Sequence, residues 1–391
     1  MSSPTAPTSA SAAAPALDAI NAALATVDDP EIRKPITELG MVKSVDIEPS
    51  GAVVVGVFLT VAGCPMRDTI TRTVTAAVAA VPGVTGVRVD LDVMSDTQRK
   101  ELQGRLRSDS GAAEREIPFA KSGSLTKVYA VASGKGGVGK SSVTVNLAVA
   151  MARSGLAVGV VDADIYGHSV PRMLGVHGRP TQVEEMIIPP VAHDVKVISI
   201  GMFVADNKPV VWRGPMLHRA LQQFLADVYW GDLDVLLMDL PPGTGDIAIS
   251  VAQLVPAAEL LVVTTPQQAA AEVAERAGTI AMQTHQQIAG VVENMSYLPC
   301  PHCGDRIDVF GSGGGQAVAD GLTRTMGVPV PLLGQIPLDM RLREGGDNGQ
   351  PLVLSDPSAP AAEALVSVAD SLGRRARGLA GRSLGLTPAG R

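Results

Sequence analysis

Aromatic residues are scarce in this 391-residue chain: 3% are Phe, Trp or Tyr, although 46% of residues are hydrophobic. Ala and Val fill the difference, and cores of small and β-branched side chains suit parallel sheets buried on both faces. An excess of positive charge is also missing, with 32 basic against 39 acidic residues and a net charge of −7. Few rings for base stacking and no basic excess make nucleic acid a poor choice of partner. No uncharged apolar run reaches the ~18 residues of a spanning helix, so no membrane partner is expected. The N-terminus has no basic segment followed by an apolar one, so no secretory signal is expected. Cysteine occurs three times, at Cys64, Cys300 and Cys303. A set this sparse excludes a secreted disulfide framework and points to a reducing, cytoplasmic location.

What is present divides the chain. Residues 1–15 are Ser, Thr, Ala and Pro without charge and read as a disordered tail. Residues 16–103 read as a small α+β domain. Leu17, Ile20, Leu24 and Val27 recur at helical spacing, Val53–Leu59 is a buried-strand run, and Ile70, Val74 and Val78 mark a second helix. Val84 to Val93 alternates as a strand. Residues 104–124 are polar and read as a linker. From 125 to 372, short apolar runs alternate with helical stretches, predicting an α/β fold with a doubly wound, mainly parallel sheet. Residues 373–391 read as a basic disordered tail.

Gly134-Lys135-Gly136-Gly137-Val138-Gly139-Lys140-Ser141 matches the phosphate-loop pattern, with Ser142 next. Its glycines let backbone N–H groups turn toward phosphate oxygens, Lys140 reaches the β- and γ-phosphates, and Ser141 takes a place on Mg²⁺. The helix that opens at Lys140 adds the positive end of its dipole. Lys135 is a second lysine inside the loop. This variant, the deviant Walker A, occurs in ATPases that close as dimers around two ATP molecules, so Lys135 is expected to reach a neighbouring subunit's nucleotide; a solvated loop charge is the alternative.

Several acids end strands. Asp162 and Asp164 close one run, and Asp239 closes the buried run Leu236-Leu237-Met238. At the carboxyl edge of a parallel sheet such acids face the ligand crevice. Each one alone also resembles a helix N-cap. Jointly they assign Asp162 and Asp239 to the Mg²⁺ shell and Asp164 to positioning the attacking water. Asp246, after Pro241-Pro242-Gly243-Thr244-Gly245, is assigned to a switch that responds to the γ-phosphate. Asn294 ends another strand and offers an amide suited to an adenine edge, with Pro337 as a second wall; ordinary turn residues are the alternative for both.

Cys300-Pro301-His302-Cys303 leaves three chemistries open. A thioredoxin-type redox pair normally opens a helix after an early strand. Zinc wants four ligands, and so does a [4Fe–4S] cluster. One chain supplies two of those thiolates, so either metal site needs a dimer. Cys64 stands before Pro65 at the start of a helix, where a thiol is more acidic and reactive; an inert buried cysteine is the alternative.

Several segments together resemble a known family. They are Ser133–Ser142, Asp162-Ala163-Asp164-Ile165-Tyr166-Gly167, Trp212-Arg213-Gly214-Pro215-Met216, Asp239–Asp246, Glu293-Asn294-Met295-Ser296 and the Cys300–Cys303 pair. They resemble Mrp/ApbC-type iron–sulfur cluster carriers, P-loop ATPases related to MinD, ParA and the nitrogenase iron protein. Residues 16–103 resemble the small SufT-like assembly domain, with Gly63-Cys64-Pro65 as its cysteine motif. The resemblance implies ATP and Mg²⁺ as ligands, weak intrinsic ATP hydrolysis and a homodimer. It also implies a [4Fe–4S] cluster shared by two subunits, and transfer to apo iron–sulfur proteins with help from assembly factors. Cys64 would be an accessory thiol. His168 departs from the family, which usually has Pro there. The rivals are a MinD/ParA-like positioning ATPase, a zinc-bridged dimer, and a reductase like the nitrogenase iron protein. A positioning ATPase would free a C-terminal amphipathic helix, whereas Leu365, Val368 and Leu372 are expected to pack on their own sheet.

Overall fold

The computed structural model describes residues 15–60, 66–110, 116–121, 123–164, 167, 169–184, 186–203, 214–243, 246–267 and 270–376. The chain forms two compact units, one of Met1–Gly111 with Thr181–Ile188, the other of Ala112–Pro180 with Pro189–Arg391.

The first unit runs α1 (Leu17–Leu24), β1 (Val42–Ile47), β2 (Ala52–Leu59), α2 (Arg67–Ala79), β3 (Gly86–Val93) and α3 (Asp96–Ser110). Its sheet has the order β1-β2-β3, with β1 antiparallel and β3 parallel to the central β2. Val53, Val55 and Val57 alternate onto one buried face. The helices bring Ile20 and Leu24 from α1 and Ile70, Val74 and Val78 from α2 into the same unit's core, each at helical spacing. The stretch read as a linker from 104 opens instead inside α3. Leu102 and Leu106, one turn apart, are both 1% exposed, and they anchor a helix whose other residues are mostly charged.

The second stretch of chain begins with β4 (Lys127–Ala132), α4 (Lys140–Arg153), β5 (Val158–Asp162) and α5 (Val170–Met173). A short antiparallel hairpin follows, β6 (Thr181–Val183) and β7 (Met186–Ile188); this is the segment that belongs to the first unit. The chain continues through β8 (Val191–Ala192), β9 (Val195–Ser199), α6 (Gly214–Ala226), β10 (Val235–Asp239), α7 (Asp246–Leu254), β11 (Glu259–Thr264), α8 (Ala270–Thr284) and β12 (Ile288–Asn294). It ends with β13 (Leu298–Pro299), β14 (Arg306–Ile307), α9 (Gly314–Met326), β15 (Leu332–Ile336), α10 (Met340–Asn348), α11 (Leu352–Ser355) and α12 (Pro360–Ala376). The basic tail read from 373 therefore opens as the last turn of α12.

Among the described residues the main sheet has eight strands in the order β15-β12-β11-β4-β10-β5-β9-β8. All its pairings are parallel except β8 with β9. Every residue of β5, β9 and β10 is buried, as a parallel sheet covered on both faces requires. The sheet is doubly wound about β4. The chain steps from β4 out to β5 on one side and returns to β11 on the other, which leaves a crevice at the carboxyl ends of the central strands. Leu365, Val368 and Leu372 of α12 are fully buried, and the Tyr129 hydroxyl donates to the Leu372 carbonyl at 3.1 Å. That helix packs on its own sheet. Among the described residues no helix is long and apolar enough to cross a membrane.

Candidate functional site

The phosphate loop joins β4 to α4 at the crevice. Gly137 and Gly139 hold φ of 80° and 77°, the left-handed region that a side chain resists. Gly139 is the N-cap of α4 and has no side chain to cap it, so the helix's first N–H groups remain available to an anion. A Cβ at Gly139 would stand 2.3 Å from Asn294 Nδ2, and one at Gly134 would stand 2.6 Å from a methyl of Val273. The loop is thus held from outside by β12 and α8. Backbone bonds tie its flanks together: Gly243 donates to the Ser133 carbonyl at 2.9 Å, and Ala163 donates to the Asp239 carbonyl at 2.9 Å.

Asp239 lies at the centre of the polar cluster. Lys140 Nζ is 2.8 Å from its Oδ1, with the two side chains 6% and 0% exposed. Ser141 Oγ donates to Oδ2 at 2.5 Å and Thr144 Oγ1 to Oδ1 at 2.9 Å. Lys140 Nζ nonetheless has no hydrogen bond of good geometry. A buried ammonium with spare donors, next to uncapped helix N–H groups, fits the β- and γ-phosphates of a nucleotide.

Asp162 sits beside Asp239 on the neighbouring strand, in register with it. It accepts from Asp164 N at 3.1 Å, from Val170 N at 3.3 Å and from Ser199 Oγ at 3.1 Å. Burial, followed by the charge of Asp239, pushes its carboxyl up to about 8. Two adjacent buried carboxyl groups with a serine hydroxyl form an oxygen-rich donor set that fits Mg²⁺. Asp164 is nearly buried and accepts from Gly167 N at 3.0 Å; a Cβ on Gly167 would come within 2.8 Å of Asp164 Oδ2.

Asn294 and Pro337 come together because β12 pairs with β15, placing Asn294 opposite Ile336. Asn294 Nδ2 donates to the Val138 carbonyl at 2.9 Å, bracing the phosphate loop. Its Oδ1 is buried without a partner, which fits the N6 amino group of adenine. Lys135 Nζ donates to Gln267 Oε1. Asp246 is the first residue of α7. Cys64, His168, Trp212 and Arg213 lie outside the described residues.

The cysteine pair sits on the small ribbon of β13 and β14, not at a helix start as a thioredoxin-type pair would be. The turn is closed by Cys300 N donating to the Asp305 carbonyl at 2.8 Å and Gly304 N to the Cys300 carbonyl at 2.9 Å. Backbone N–H groups of Cys303 and His302 point at Cys300 sulfur and hold its thiol below its ordinary value, favouring thiolate. Cys303 Sγ is exposed and lies 3.2 Å from Asp305 Oδ2. Among the described residues no three His, Cys, Asp or Glu side chains group as a metal site. The described residues of one chain therefore offer two thiols here and no third or fourth ligand of these types.

The residues not foreseen from sequence brace the site. Thr144 lies one turn beyond Lys140 on the buried face of α4. Ser199 ends β9 beside Asp162. Glu293, fully buried, accepts from Gly315 N at 2.5 Å and Gln335 Nε2 at 2.6 Å and fixes the strand that carries Asn294. Only its place before Asn294 marked it in sequence.

A family profile described as NUBPL iron-transfer P-loop NTPase matches residues 124–373, more than half of the chain. The chain belongs to this iron-transfer P-loop NTPase family. A second profile, described as an iron-sulfur cluster assembly protein, matches residues 17–91 of the NTPase chain, a span that includes Cys64. The NTPase is 68% identical over 370 residues to the iron-sulfur cluster carrier protein of Mycobacterium tuberculosis, covering 95% of this chain and 96% of that one. It is 41% identical over 362 residues to the protein of the same name from Synechocystis, covering 91% and 96%. Among solved structures, a nucleotide-binding protein from Archaeoglobus fulgidus in complex with ADP is 36% identical with a TM-score of 0.52, covering 61% of this chain and 93% of that one. Its match supports a P-loop NTPase fold for the second unit, and the ADP complex belongs to that relative.

Proposed function

We propose that this iron-transfer NTPase is a cytoplasmic carrier that holds a [4Fe–4S] cluster between two subunits and delivers it to apo iron–sulfur proteins, under control of ATP. What carries the cluster reading is the thiolate count. Cys300 and Cys303 stand on an exposed ribbon, and among the described residues nothing completes a site around them. A four-thiolate cluster is satisfied when a second copy brings the same pair, a two-fold arrangement. The name of the relatives favours iron–sulfur over zinc as the cargo.

The nucleotide end follows from the same chain. Lys140 and the N–H groups of Gly137 to Ser141 bind phosphate, Asn294 Oδ1 takes the adenine amino group, and Pro337 walls the base. Ser141, Asp162 and Asp239 would hold Mg²⁺, which when bound neutralises phosphate charge. Asp164 accepts a hydrogen bond from the attacking water and orients that water toward the γ-phosphate. Lys135 acts on a partner's nucleotide, so hydrolysis by a single chain is weak. Asp246 opens the helix after the switch and responds to loss of the γ-phosphate.

The test is anaerobic transfer from the reconstituted protein to an apo-enzyme that needs a [4Fe–4S] cluster. Restored activity that depends on Cys300 and Cys303, and a rate that changes with ATP only when Lys140 is intact, supports the proposal. Equal transfer by the Cys300→Ala, Cys303→Ala double variant contradicts it.

A further inference from the structure

The hairpin Thr181–Ile188 is encoded inside the NTPase stretch yet belongs to the first unit. It is built into that unit's core: Val183 is 0%, Ile188 1%, Thr181 7% and Met186 7% exposed. The Thr181 hydroxyl donates to the Glu31 carboxyl, a buried group beside Asp29. Asp29 Oδ1 in turn accepts from Glu31 N at 3.0 Å and Ile32 N at 2.8 Å, fixing the loop that presents Glu31.

Both ends of the chain segment that carries this hairpin return to one oxygen in the nucleotide site. Before the hairpin, Val170 N donates to Asp162 Oδ2 at 3.3 Å; after it, Ser199 Oγ donates to the same oxygen at 3.1 Å. The hairpin is entered through Pro180 and left through Pro189-Pro190. Proline fixes φ, so these stems pass a displacement on rather than absorb it.

We infer that residues 170–199 form a strap that couples occupancy of the nucleotide site to the first unit, with Asp162 at one end and the Thr181–Glu31 bond at the other. This rests on the nucleotide reading above and goes beyond it, giving the first unit a means to sense that site. When Asp162 turns toward a bound cation, it loosens its hold on Val170 and Ser199 together. The hairpin moves with its stems and draws on Glu31. By reciprocity, whatever occupies the first unit alters nucleotide affinity by the same factor.

The test is amide hydrogen exchange on the full chain with and without Mg-ATP, comparing the phosphate loop, the hairpin and residues 17–93. The strap predicts that Mg-ATP changes exchange in the hairpin and around Glu31 by at least about fivefold. Thr181→Val removes that response in the first unit while leaving phosphate-loop protection intact, and Thr181→Ser retains it. Protection confined to the phosphate loop, or a first-unit response unaltered in a folded Thr181→Val protein, overturns the strap while leaving the nucleotide reading in place. If Thr181→Val does not fold, an unresponsive first unit in Thr181→Ser overturns the strap. Absence of protection at the phosphate loop itself overturns both.

Discussion

Lys140 and Asp239 form a buried ion pair, 2.8 Å from Nζ to Oδ1, in which the ammonium still lacks a well-oriented hydrogen bond. The lysine proposed for phosphate and the acid proposed for Mg²⁺ thus neutralise each other. Nucleotide and metal binding exchange one set of partners for another. Removing the lysine strands Asp239 in a dry site. Lys140→Met is expected to lower stability by about 3–5 kcal/mol, the usual cost of breaking a buried pair from one side. It should also abolish Mg-ATP-induced thermal stabilisation while leaving cluster loading at Cys300 and Cys303 intact. Thermal unfolding with and without Mg-ATP, alongside iron analysis, checks both.

Mg-ATP binding should release a proton near neutral pH. Burial and the charge of Asp239 push Asp162 up to about 8, so this carboxyl is largely protonated at pH 7 in the free protein. A bound cation favours the ionised form and lowers the value. Titration calorimetry in buffers of different ionisation enthalpy reads the number of protons released. The expectation is up to about one proton at pH 7, absent in Asp162→Asn.

The first unit should lose stability as pH rises. Burial, then the charge of Asp29, raises Glu31 from 4.5 to about 7. The folded state therefore holds this proton more tightly than the unfolded chain. The resulting stability is fully present below about pH 4.5 and is lost as pH rises through about 7. Glu31→Gln keeps an acceptor for Thr181 and removes the ionisation, so it should flatten the pH profile and stabilise the unit at pH 8 by up to about 3 kcal/mol. Denaturant unfolding at pH 5 and pH 8 measures the difference.

Gly139→Ala should damage the nucleotide end without touching the thiolates. The residue sits at φ 77°, and an added Cβ meets Asn294 Nδ2 at 2.3 Å. The loop and Asn294, the residue proposed to contact adenine, are displaced together. A loss of ATP affinity of at least about tenfold is expected, since strain of order 1–3 kcal/mol falls directly on the binding conformation. Fluorescent-nucleotide titration checks it, and unchanged iron loading excludes global unfolding.

Much of this was legible because it is local. The strands of the main sheet are continuous apolar runs, and the phosphate loop, Asp162, Asp239, Asn294 and the cysteine pair sit at strand ends that the period of the sequence marks. Two things were hidden. Helix α3 shows few apolar residues in a charged stretch, so Leu102 and Leu106 reveal a helix only once their burial is known. The hairpin Thr181–Ile188 has no sequence mark of its destination, because its core partners lie far away in the chain. The braces Thr144, Ser199 and Glu293 were missed for a similar reason. Each acts through a partner that only the folded sheet brings near.

The most direct measurement is the iron content and mass of the anaerobically reconstituted protein by native mass spectrometry. One [4Fe–4S] cluster per two chains is expected, about two iron atoms per chain, with the dimer falling to cluster-free monomer in the Cys300→Ala, Cys303→Ala variant. A cluster retained by that variant, or a full cluster on a single chain, would contradict that expectation.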